Sequence, residues 1–407
     1  MTANITAPRI AVKGIGRIGK EKNPVEGYMK KIQVVCCFIF LCLVCSTVSF
    51  AADTIKIGAL FSVTGPASFL GAPMRNTAQM VVDEVNKAGG VKGRKLELIV
   101  YDTAGDATKA VQLVSKLIKS DHVVAIIGPN TSGEAMAVIP IVEKEHIPLV
   151  TCAASIKITE PVKKWVFKTT NNDTLAVMRI YEYLQKVKQT NVALLTVSDG
   201  FGASGREQLK AQAQKHGIKI VSDDTYGPKD TDMTAQLTKI RGSQAQAVIC
   251  WGTNPGPAIV ARNAHQLGIK MPLFMSHGVS SKKFIELAGD AAEGLRLPAS
   301  KVLVADALPN SDLQKKTLLG FIKDYQKHFK VDADTFSGHA WDAIMVVTNA
   351  IEKGGDSPAA IRDQIEKSRN FAGISGVFNF SGNDHAGLTK DSFVMVEIKN
   401  KDWVLLK

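Results

Sequence analysis

A regular alternation of apolar strand patterns and amphipathic helix patterns runs through the chain from Thr54 onward and limits the folds open to it. Residues 126–155 contain one complete unit: an apolar run, a turn rich in Gly, Pro, Asn and Ser, an amphipathic segment, a second apolar run and a loop of small residues. This order is typical of a crossover between parallel strands. The turn and the final loop then lie at the carboxyl edge of the sheet, where open α/β sheets bind ligands.

The amphipathic segment of that unit is expected to form a helix that begins near Ser132. The unpaired N–H groups of its first turn and the positive end of its dipole then point into the sheet edge, where an anion binds favourably. The Ser132 hydroxyl has two compatible roles. It can contact that anion, and it can also act as an ordinary N-cap, a role that contributes about 1 kcal/mol to helix stability.

The alternation occurs twice before residue 301. The first round predicts strands over 55–61, 95–101, 123–127, 147–151 and 166–169, helices over 73–88 and 106–120, and a Gly- and Pro-rich loop over 62–71. The second round predicts strands over 192–197, 218–223, 247–251 and 273–275 and helices over 174–188, 201–215, 234–241 and 257–267. An α/β fold with two doubly wound, Rossmann-like lobes is therefore expected.

The last hundred residues cannot simply continue the second sheet. They predict helices over 312–329, 336–353 and 358–368, followed by strands near 378–380, 393–398 and 403–405. The economical interpretation returns the helices to the first lobe and the final strands to the second, through a multi-stranded hinge. We therefore expect lobe 1 over residues 52–170 and 302–372, and lobe 2 over residues 171–301 and 373–407.

Residues 29–52 have the pattern of a secretory signal. A basic start at Met29 is followed by an apolar run over 32–44 and then by small residues, which is the order of a cleavable signal peptide. The apolar run is too short for a comfortable membrane span, although an uncleaved anchor stays an alternative. We expect residues 1–51 to be an N-terminal extension and signal peptide, and the mature protein to be periplasmic. Residues 1–28 are unusual ahead of a signal and favour translation from Met29.

The cysteines argue against a disulfide scaffold. Those inside the predicted signal are Cys36, Cys37, Cys42 and Cys45. Only Cys152 and Cys250 remain in the rest of the chain, so neither a disulfide framework nor a thiolate metal site is predicted. Lipid attachment at Cys45 stays an alternative, although Val44 is larger than the residue that usually precedes a lipid-modified cysteine.

Two features that suggest a cofactor or nucleic acid have simpler explanations. Residues 14–19 match the G-x-G-x-x-G pattern of dinucleotide-binding sites, but no strand precedes them and the predicted signal follows. The formal charge is +12, of which +5 lies within residues 1–51. The other basic residues are scattered over helix faces without the interleaved aromatics of nucleic-acid platforms. No cofactor, metal or nucleic-acid partner is predicted.

Three phrases in a fixed order resemble a known family: IKIGALFSVTGPASFLG, VNKAGGVKGRKLELIVYDT and VVAIIGPNTSGEAMAVIPIVEKEHIPLVTCAAS. They are similar to the type I periplasmic binding proteins of branched-chain amino acid ABC transporters, and the resemblance covers residues 54–407. It implies a monomeric receptor whose two lobes close on a small ligand and present it to a membrane permease.

The resemblance also implies where the ligand carboxylate binds. In that family a serine after the third strand and the loop after the fourth strand hold the carboxylate, while acceptors in the same loop take the ammonium group. The matching positions here are Ser132 and the run Ala153, Ala154 and Ser155. Hydrogen bonds to a charged group of this kind contribute about 1.5–3 kcal/mol each.

The facing lobe departs from the family pattern. Phe201 stands where a tyrosine is common, and no carboxylate lies near His277, where an acid often pairs with the ligand ammonium. His277 either hydrogen-bonds the ligand or only lines the cleft. Trp251, Thr253 and Asn254 belong to a loop that often carries further aromatic residues.

The missing acid leaves the ligand class open. Phe69, Leu70, Phe201 and Trp251 are candidates for an apolar pocket, although each is also a plausible core residue. A branched-chain or other hydrophobic amino acid is the first expectation. An aromatic carboxylate or a keto acid is the alternative.

Catalysis has little support in the sequence. His339 and Asp342 are three residues apart in a helical pattern, and we expect a helix-surface or hinge-facing pair rather than a catalytic dyad. Cys152 has no assignable histidine partner. A hydrolase of unknown type and a sensory ligand-binding module of the same fold are the competing hypotheses. The sensory module would normally need a membrane helix or a signalling domain beyond residue 407.

Overall fold

The computed structural model describes residues 54–406 together with Met29. The predicted signal segment, the G-x-G-x-x-G match and the four cysteines up to Cys45 lie outside these residues, apart from Met29 itself. Within the described part of the chain, no helix combines the length and apolar character needed to span a membrane.

The first sheet consists of five parallel strands. They are β1 (Ile55–Phe61), β2 (Leu96–Asp102), β3 (Ala125–Ile127), β4 (Leu149–Thr151) and β5 (Val166–Lys168), in the spatial order β2-β1-β3-β4-β5. The crossovers carry α1 (Ser68–Lys87), α2 (Ala107–Lys119) and α3 (Ser132–Glu145). Asp106 caps α2 as predicted, because its side chain accepts a hydrogen bond from the Lys109 N–H.

The second half of the chain begins with the same alternation. Its first strands are β6 (Asn191–Val197), β7 (Lys219–Tyr226), β8 (Ala247–Trp251), β9 (Leu273–Met275) and β10 (Arg296–Ser300). The helices between β5 and β10 are α4 (Asp173–Lys186), α5 (Gly200–Ala213), α6 (Thr234–Arg241), α7 (Gly256–Gln266) and α8 (Lys282–Ala288). Then follow α9 (Lys315–Phe329), α10 (Thr335–Gly354), α11 (Pro358–Glu366), β11 (Phe371–Ala372), β12 (Val377–Phe378), β13 (Phe393–Lys399) and β14 (Asp402–Leu405).

The second sheet has the order β14-β13-β10-β9-β8-β6-β7. Its strands are parallel from β7 to β10, whereas β13 and β14 add to it in antiparallel pairs. Helices α9 to α11 pack instead on the first lobe, where Phe321, Ile344 and Ile361 share one core with Phe61. The chain therefore passes between the lobes after β5, after β10 and before β13, and the prediction of two Rossmann-like lobes joined by a multi-stranded hinge is confirmed.

The exact lobe boundaries stay a prediction. Phe378, Phe380 and Leu388 belong to the core of the first lobe. Their packing favours a boundary close to Phe393 for the last passage, rather than one at residue 373.

Helix α1 begins earlier than the sequence predicts. The loop predicted over 62–71 rested on its Gly and Pro content, yet the helix starts at Ser68 and contains Pro73. Burial of Leu70 and Met74 against the first core outweighs the poor helix propensity of Gly71 and Pro73. Gly71 is required for close packing rather than for a turn, because a Cβ atom there would overlap the Ser62 carbonyl.

Two elements of the second lobe, β10 and α8, have no counterpart in the predicted set. Strand β10 contains Pro298, and a proline inside a short apolar run argues against a strand. The structure nevertheless pairs Pro298 with Met395 of β13. Helix α8 is only seven residues long, which is too short for a clear helical period.

We predict that Gly205→Ala destabilises the second lobe by about 1–3 kcal/mol, because overpacking a filled core forces its neighbours to move. Gly205 lies on α5, directly over the fully buried Trp251, and a Cβ atom added there would overlap the indole ring. Chemical denaturation monitored by circular dichroism measures the change.

Gly320→Ala in the exposed part of α9 is the matched control, since a Cβ there meets no atom within 4 Å. A helical Gly→Ala change without a clash is expected to stabilise by about 0.4–1 kcal/mol. Equal effects of the two substitutions would contradict the packing account.

Candidate functional site

A cavity of about 370 Å³ lies between the two lobes, at the carboxyl ends of both parallel sheets. Of the residues predicted to bind ligand, those on its wall are Leu70, Ser132, Ala154, Phe201, Thr253, Asn254 and His277. A volume of this size is typical of small-molecule sites. The sheet edge chosen from the sequence is therefore the edge at which the structure forms a cavity.

The start of helix α3 forms part of the first-lobe wall. The N-cap is Thr131, whose side chain accepts a hydrogen bond from the Glu134 N–H, so Ser132 is the first helical residue and the N-cap role considered for it is wrong. The Ser132 hydroxyl instead accepts a hydrogen bond from the Ser155 N–H at 3.2 Å. Gly133 borders open space, because a Cβ there would meet no atom within 4 Å.

The loop of small residues after β4 exposes only part of itself to the cavity. Ala154 lies on the wall, whereas Ala153 is 1% exposed and packs into the first-lobe core. Ser155 is also buried, and its hydroxyl donates to the Ser204 hydroxyl of α5 at 2.9 Å. This bond connects the loop of the first lobe to the second lobe.

Lys168 supports this loop and was missed by the sequence analysis. Its ammonium group is fully buried and donates to the carbonyl oxygens of Ala154 at 2.7 Å and Ser155 at 3.3 Å. Burial lowers the Lys168 pKa to about 8. The peptide unit between Ala154 and Ser155 is therefore held at its carbonyl by Lys168 and at its N–H by Ser132. A lysine in a short strand is usually exposed, so the sequence carried no signal for this role.

Asp173, at the start of α4, completes the connection between the lobes. Its carboxylate accepts a short hydrogen bond from the Ser204 hydroxyl, the same group that receives the bond from Ser155. Burial raises the Asp173 pKa to about 7, against the opposing charge of Lys168. A salt bridge between Lys157 and Glu207, at 2.5 Å, joins the same two surfaces.

Two aromatic residues predicted for the pocket lie behind or beside it. Trp251 is fully buried, with its ring centroid 5.7 Å from those of both Phe201 and His277, so it supports the wall without forming it. Phe69 packs edge-to-face on Phe336 at 5.7 Å and borders a separate groove. Phe336, which the sequence analysis did not select, lies on the cavity wall instead.

His277 and His339 reach the cavity wall from opposite lobes. Burial lowers the pKa of each to about 3, so both imidazoles are uncharged at neutral pH. His339 Nδ1 lies 2.7 Å from the Ser375 hydroxyl, while Asp342 accepts the N–H groups of Ile374 and Ser375, each at 2.7 Å. The helix-surface alternative predicted for His339 and Asp342 is wrong, because α10 buries both side chains, whereas His339 does face the cleft between the lobes.

Carboxylates do reach the cavity, but from positions other than the one expected. Glu134 at the start of α3 and Asp199 before α5 both line it. Asp199 accepts the N–H groups of Phe201 and Gly202, and burial raises its pKa. Its role as the N-cap of α5 was the available sequence signal.

The two remaining cysteines are free and buried. Burial raises the pKa of both Cys152 and Cys250 to about 12, so neither thiol is a nucleophile at neutral pH. Among the described residues, no cluster of His, Cys, Asp and Glu side chains is suited to hold a metal ion.

We predict that the two buried histidines contribute to acid denaturation. The folded protein keeps each uncharged down to a pKa of about 3, whereas the unfolded chain protonates them near pH 6.5. The unfolded state therefore binds more protons between these values, and stability due to the histidines falls as the pH falls. His339→Gln should reduce the loss of Tm between about pH 7 and pH 4 relative to the unchanged protein.

Burial raises the pKa values of Asp173 and Asp342 to about 7, so these two residues make the protein more stable as the pH falls. Both are present in the original protein and in His339→Gln. The difference between the two Tm profiles is therefore the measurement. His328→Gln, at an exposed position of α9, serves as the control. Parallel profiles for the original protein and His339→Gln would contradict the account.

Comparison with known proteins places this geometry in a family. The family model described as periplasmic binding protein matches residues 54–402. A leucine-, isoleucine-, valine-, threonine- and alanine-binding protein of Pseudomonas aeruginosa is 28% identical over 311 residues, which are 76% of this chain and 81% of that protein. A Leu/Ile/Val-binding protein of Escherichia coli K12 is 26% identical over 264 residues, 62% of this chain and 72% of that protein.

Solved structures share the same architecture. An extracellular ligand-binding receptor from Rhodopseudomonas palustris HaA2 is 28% identical, with a TM-score of 0.82 over 87% of this chain and 100% of that one. The branched-chain amino acid transporter substrate binding protein LivJ from Streptococcus pneumoniae, in complex with isoleucine, is 25% identical, with a TM-score of 0.76 and the same coverage. Members of this family are solute receptors and not enzymes. The chain belongs to the periplasmic binding protein family and has the family's type I fold.

Proposed function

We propose that the protein is an exported solute-binding receptor that captures a small carboxylate-bearing ligand between its lobes and delivers it to an ABC permease. The observation that carries this proposal is the arrangement at the start of α3. Ser132, the adjacent N–H groups of the first helical turn and the peptide unit after Ala154 border one cavity. Free N–H groups and the helix dipole at such a position favour an anion.

Contacts across the cleft support closure around the ligand. Ser155 bonds to Ser204, and Lys157 pairs with Glu207, so the ligand loop itself touches the second lobe. A ligand favours closure only through contacts that exist in the closed state. A carboxylate held at α3 and covered by Phe201 and His277 would make such contacts with both lobes.

The first candidate ligand is a branched-chain or other hydrophobic amino acid, and the names of the related proteins support it. An aromatic carboxylate or keto acid is the second candidate. It is favoured by the apolar rings of Phe201 and Phe336 on the wall and by the uncharged state of His277. Asp199 and Glu134 are the wall carboxylates available to an ammonium group. A sensory module with the same ligand site is the alternative from another functional class.

We predict that at least one small carboxylate stabilises the purified protein. A ligand with a micromolar Kd at millimolar concentration adds about 4 kcal/mol to the free energy of unfolding. Thermal shift with leucine, isoleucine, valine, phenylalanine, benzoate and 2-oxoisocaproate measures this effect. The corresponding carboxamides are the control, because they lack the carboxylate. Stabilisation by none of these acids would contradict the proposal.

We predict that Ser132→Ala weakens binding of the best of these ligands at least about tenfold, equivalent to 1.4 kcal/mol. Stability without ligand should fall by only about 1–3 kcal/mol, because the Ser155 N–H loses its acceptor while the helix cap at Thr131 stays intact. Isothermal titration calorimetry measures the affinity. Ser115→Ala is the matched control, since that hydroxyl bonds to the Val111 carbonyl within α2 and is not on the cavity wall. Equal affinity of Ser132→Ala and the original protein would remove Ser132 from the proposed site.

A further inference from the structure

We propose that the ligand carries, away from its carboxylate, an uncharged hydrogen-bonding group such as a hydroxyl or an amide. This inference rests on the proposed function and narrows its ligand class. It is based on polar side-chain atoms of the cavity wall that have no hydrogen-bond partner among the described residues, and on the absence of charge from the histidines beside them.

The unpaired groups come from both lobes. In the second lobe, both ring nitrogens of His277 and both polar atoms of the Asn254 amide have no hydrogen-bond partner among the described residues. In the first lobe, the same is true of the Thr170 hydroxyl. These three side chains lie on the cavity wall and are at most 5% exposed. Buried polar atoms in folded proteins are almost always paired, so this cluster needs partners from outside the described chain.

A hydrogen-bond partner for the His277 ring nitrogens can come only from the cavity, because aromatic rings surround the imidazole on its other sides. The imidazole lies 5.4 Å from the ring of Phe201, 5.7 Å from Trp251 and 5.4 Å from Phe393, measured between ring centroids. None of these rings offers an acceptor. The following residue is tightly held as well, because a Cβ on Gly278 would lie 2.8 Å from Phe201. His277 therefore stays on the wall, with the cavity as its open side.

The absence of charge from these buried groups decides which kind of polar group fits beside them; Lys229, a lysine on the wall, is exposed. His277 and His339 are both uncharged, since burial lowers their pKa values to about 3 and the nearby Lys168 charge adds to the effect. Asn254 and Thr170 are neutral by nature. A second carboxylate would find no positive charge among these groups. An ammonium group only donates, so it would leave the Asn254 amide N–H groups and the imidazole N–H of His277 unpaired, and the wall carboxylates of Asp199 and Glu134 are available to it instead. A hydroxyl or amide can both donate to these groups and accept from them.

This arrangement discriminates between ligands of the same shape. A purely aliphatic side chain or an unsubstituted ring would occupy the space and leave the wall groups unpaired. Sites built to hydrogen-bond a ligand hydroxyl reject the analogue without it by as much as roughly 10⁴-fold, whereas sites that only accommodate a hydroxyl discriminate weakly. The cavity should therefore favour the hydroxylated member of a matched pair.

Three matched pairs test the inference by isothermal titration calorimetry: tyrosine with phenylalanine, threonine with valine, and 4-hydroxybenzoate with benzoate. In the pair that binds best, the hydroxylated member should bind at least about tenfold more tightly, a difference of 1.4 kcal/mol. If valine, phenylalanine or benzoate binds as tightly as its hydroxylated partner or more tightly, the inference is overturned and the proposed function stands. If none of the six acids binds, the inference is overturned, and the thermal-shift result with leucine, isoleucine and 2-oxoisocaproate decides separately whether the proposed function stands.

Two variants connect the preference to the named wall groups. His277→Leu and Asn254→Leu each remove unpaired polar atoms at similar volume, and each should lower the affinity ratio within the best pair at least about threefold, in line with one lost hydrogen bond. Asn254→Leu provides the test if His277→Leu fails to fold. His265→Leu, at an exposed position near the end of α7, is the matched control and should keep the ratio. An unchanged ratio in the folded variants would overturn the assignment.

Discussion

The ammonium group of Lys168 lies wholly inside the protein and donates to the carbonyls of Ala154 and Ser155. A buried charge is costly unless it is paired, and here two carbonyl oxygens and the field of Asp173 compensate it. The same contacts hold the loop that follows β4 in one conformation. Through Ser155 and Ser204 this loop is bonded to the second lobe, so one buried cation supports both the first-lobe wall of the cavity and the contact between the lobes.

The two walls of the cavity differ in how they are built. The first-lobe wall uses backbone groups at a helix start, held by Thr131, Ser132 and Lys168. The second-lobe wall uses side chains that rest on the buried ring of Trp251. Backbone donors suit any carboxylate, whereas side chains such as Phe201 and His277 depend on ligand shape and polarity. Under the proposed function, ligand selectivity would depend on these side chains together with those of Thr170, Phe336 and His339 on the first-lobe wall.

Local patterns predicted most of the fold. The α/β alternation, the cap at Asp106 and the helix start at Ser132 depend on neighbouring residues, which the sequence displays directly. The start of α1 at Ser68 and the strand through Pro298 were missed, because burial against distant segments overrides a poor local propensity there. Phe69 and Trp251 were expected in the pocket, but an aromatic residue at a helix start or at a strand end fits a core as well as a cleft.

By itself, the sequence determined the class of fold, the sheet edge at which the cavity lies and the helix start that borders it. These features follow from hydrophobic period and from residues close to one another along the chain. Only the tertiary structure decided that Lys168 supports the loop at Ala154, that His277 and His339 approach one cavity from opposite lobes, and that both are uncharged. The physical reason is that burial and charge depend on segments that are separate along the chain and meet only in the folded protein.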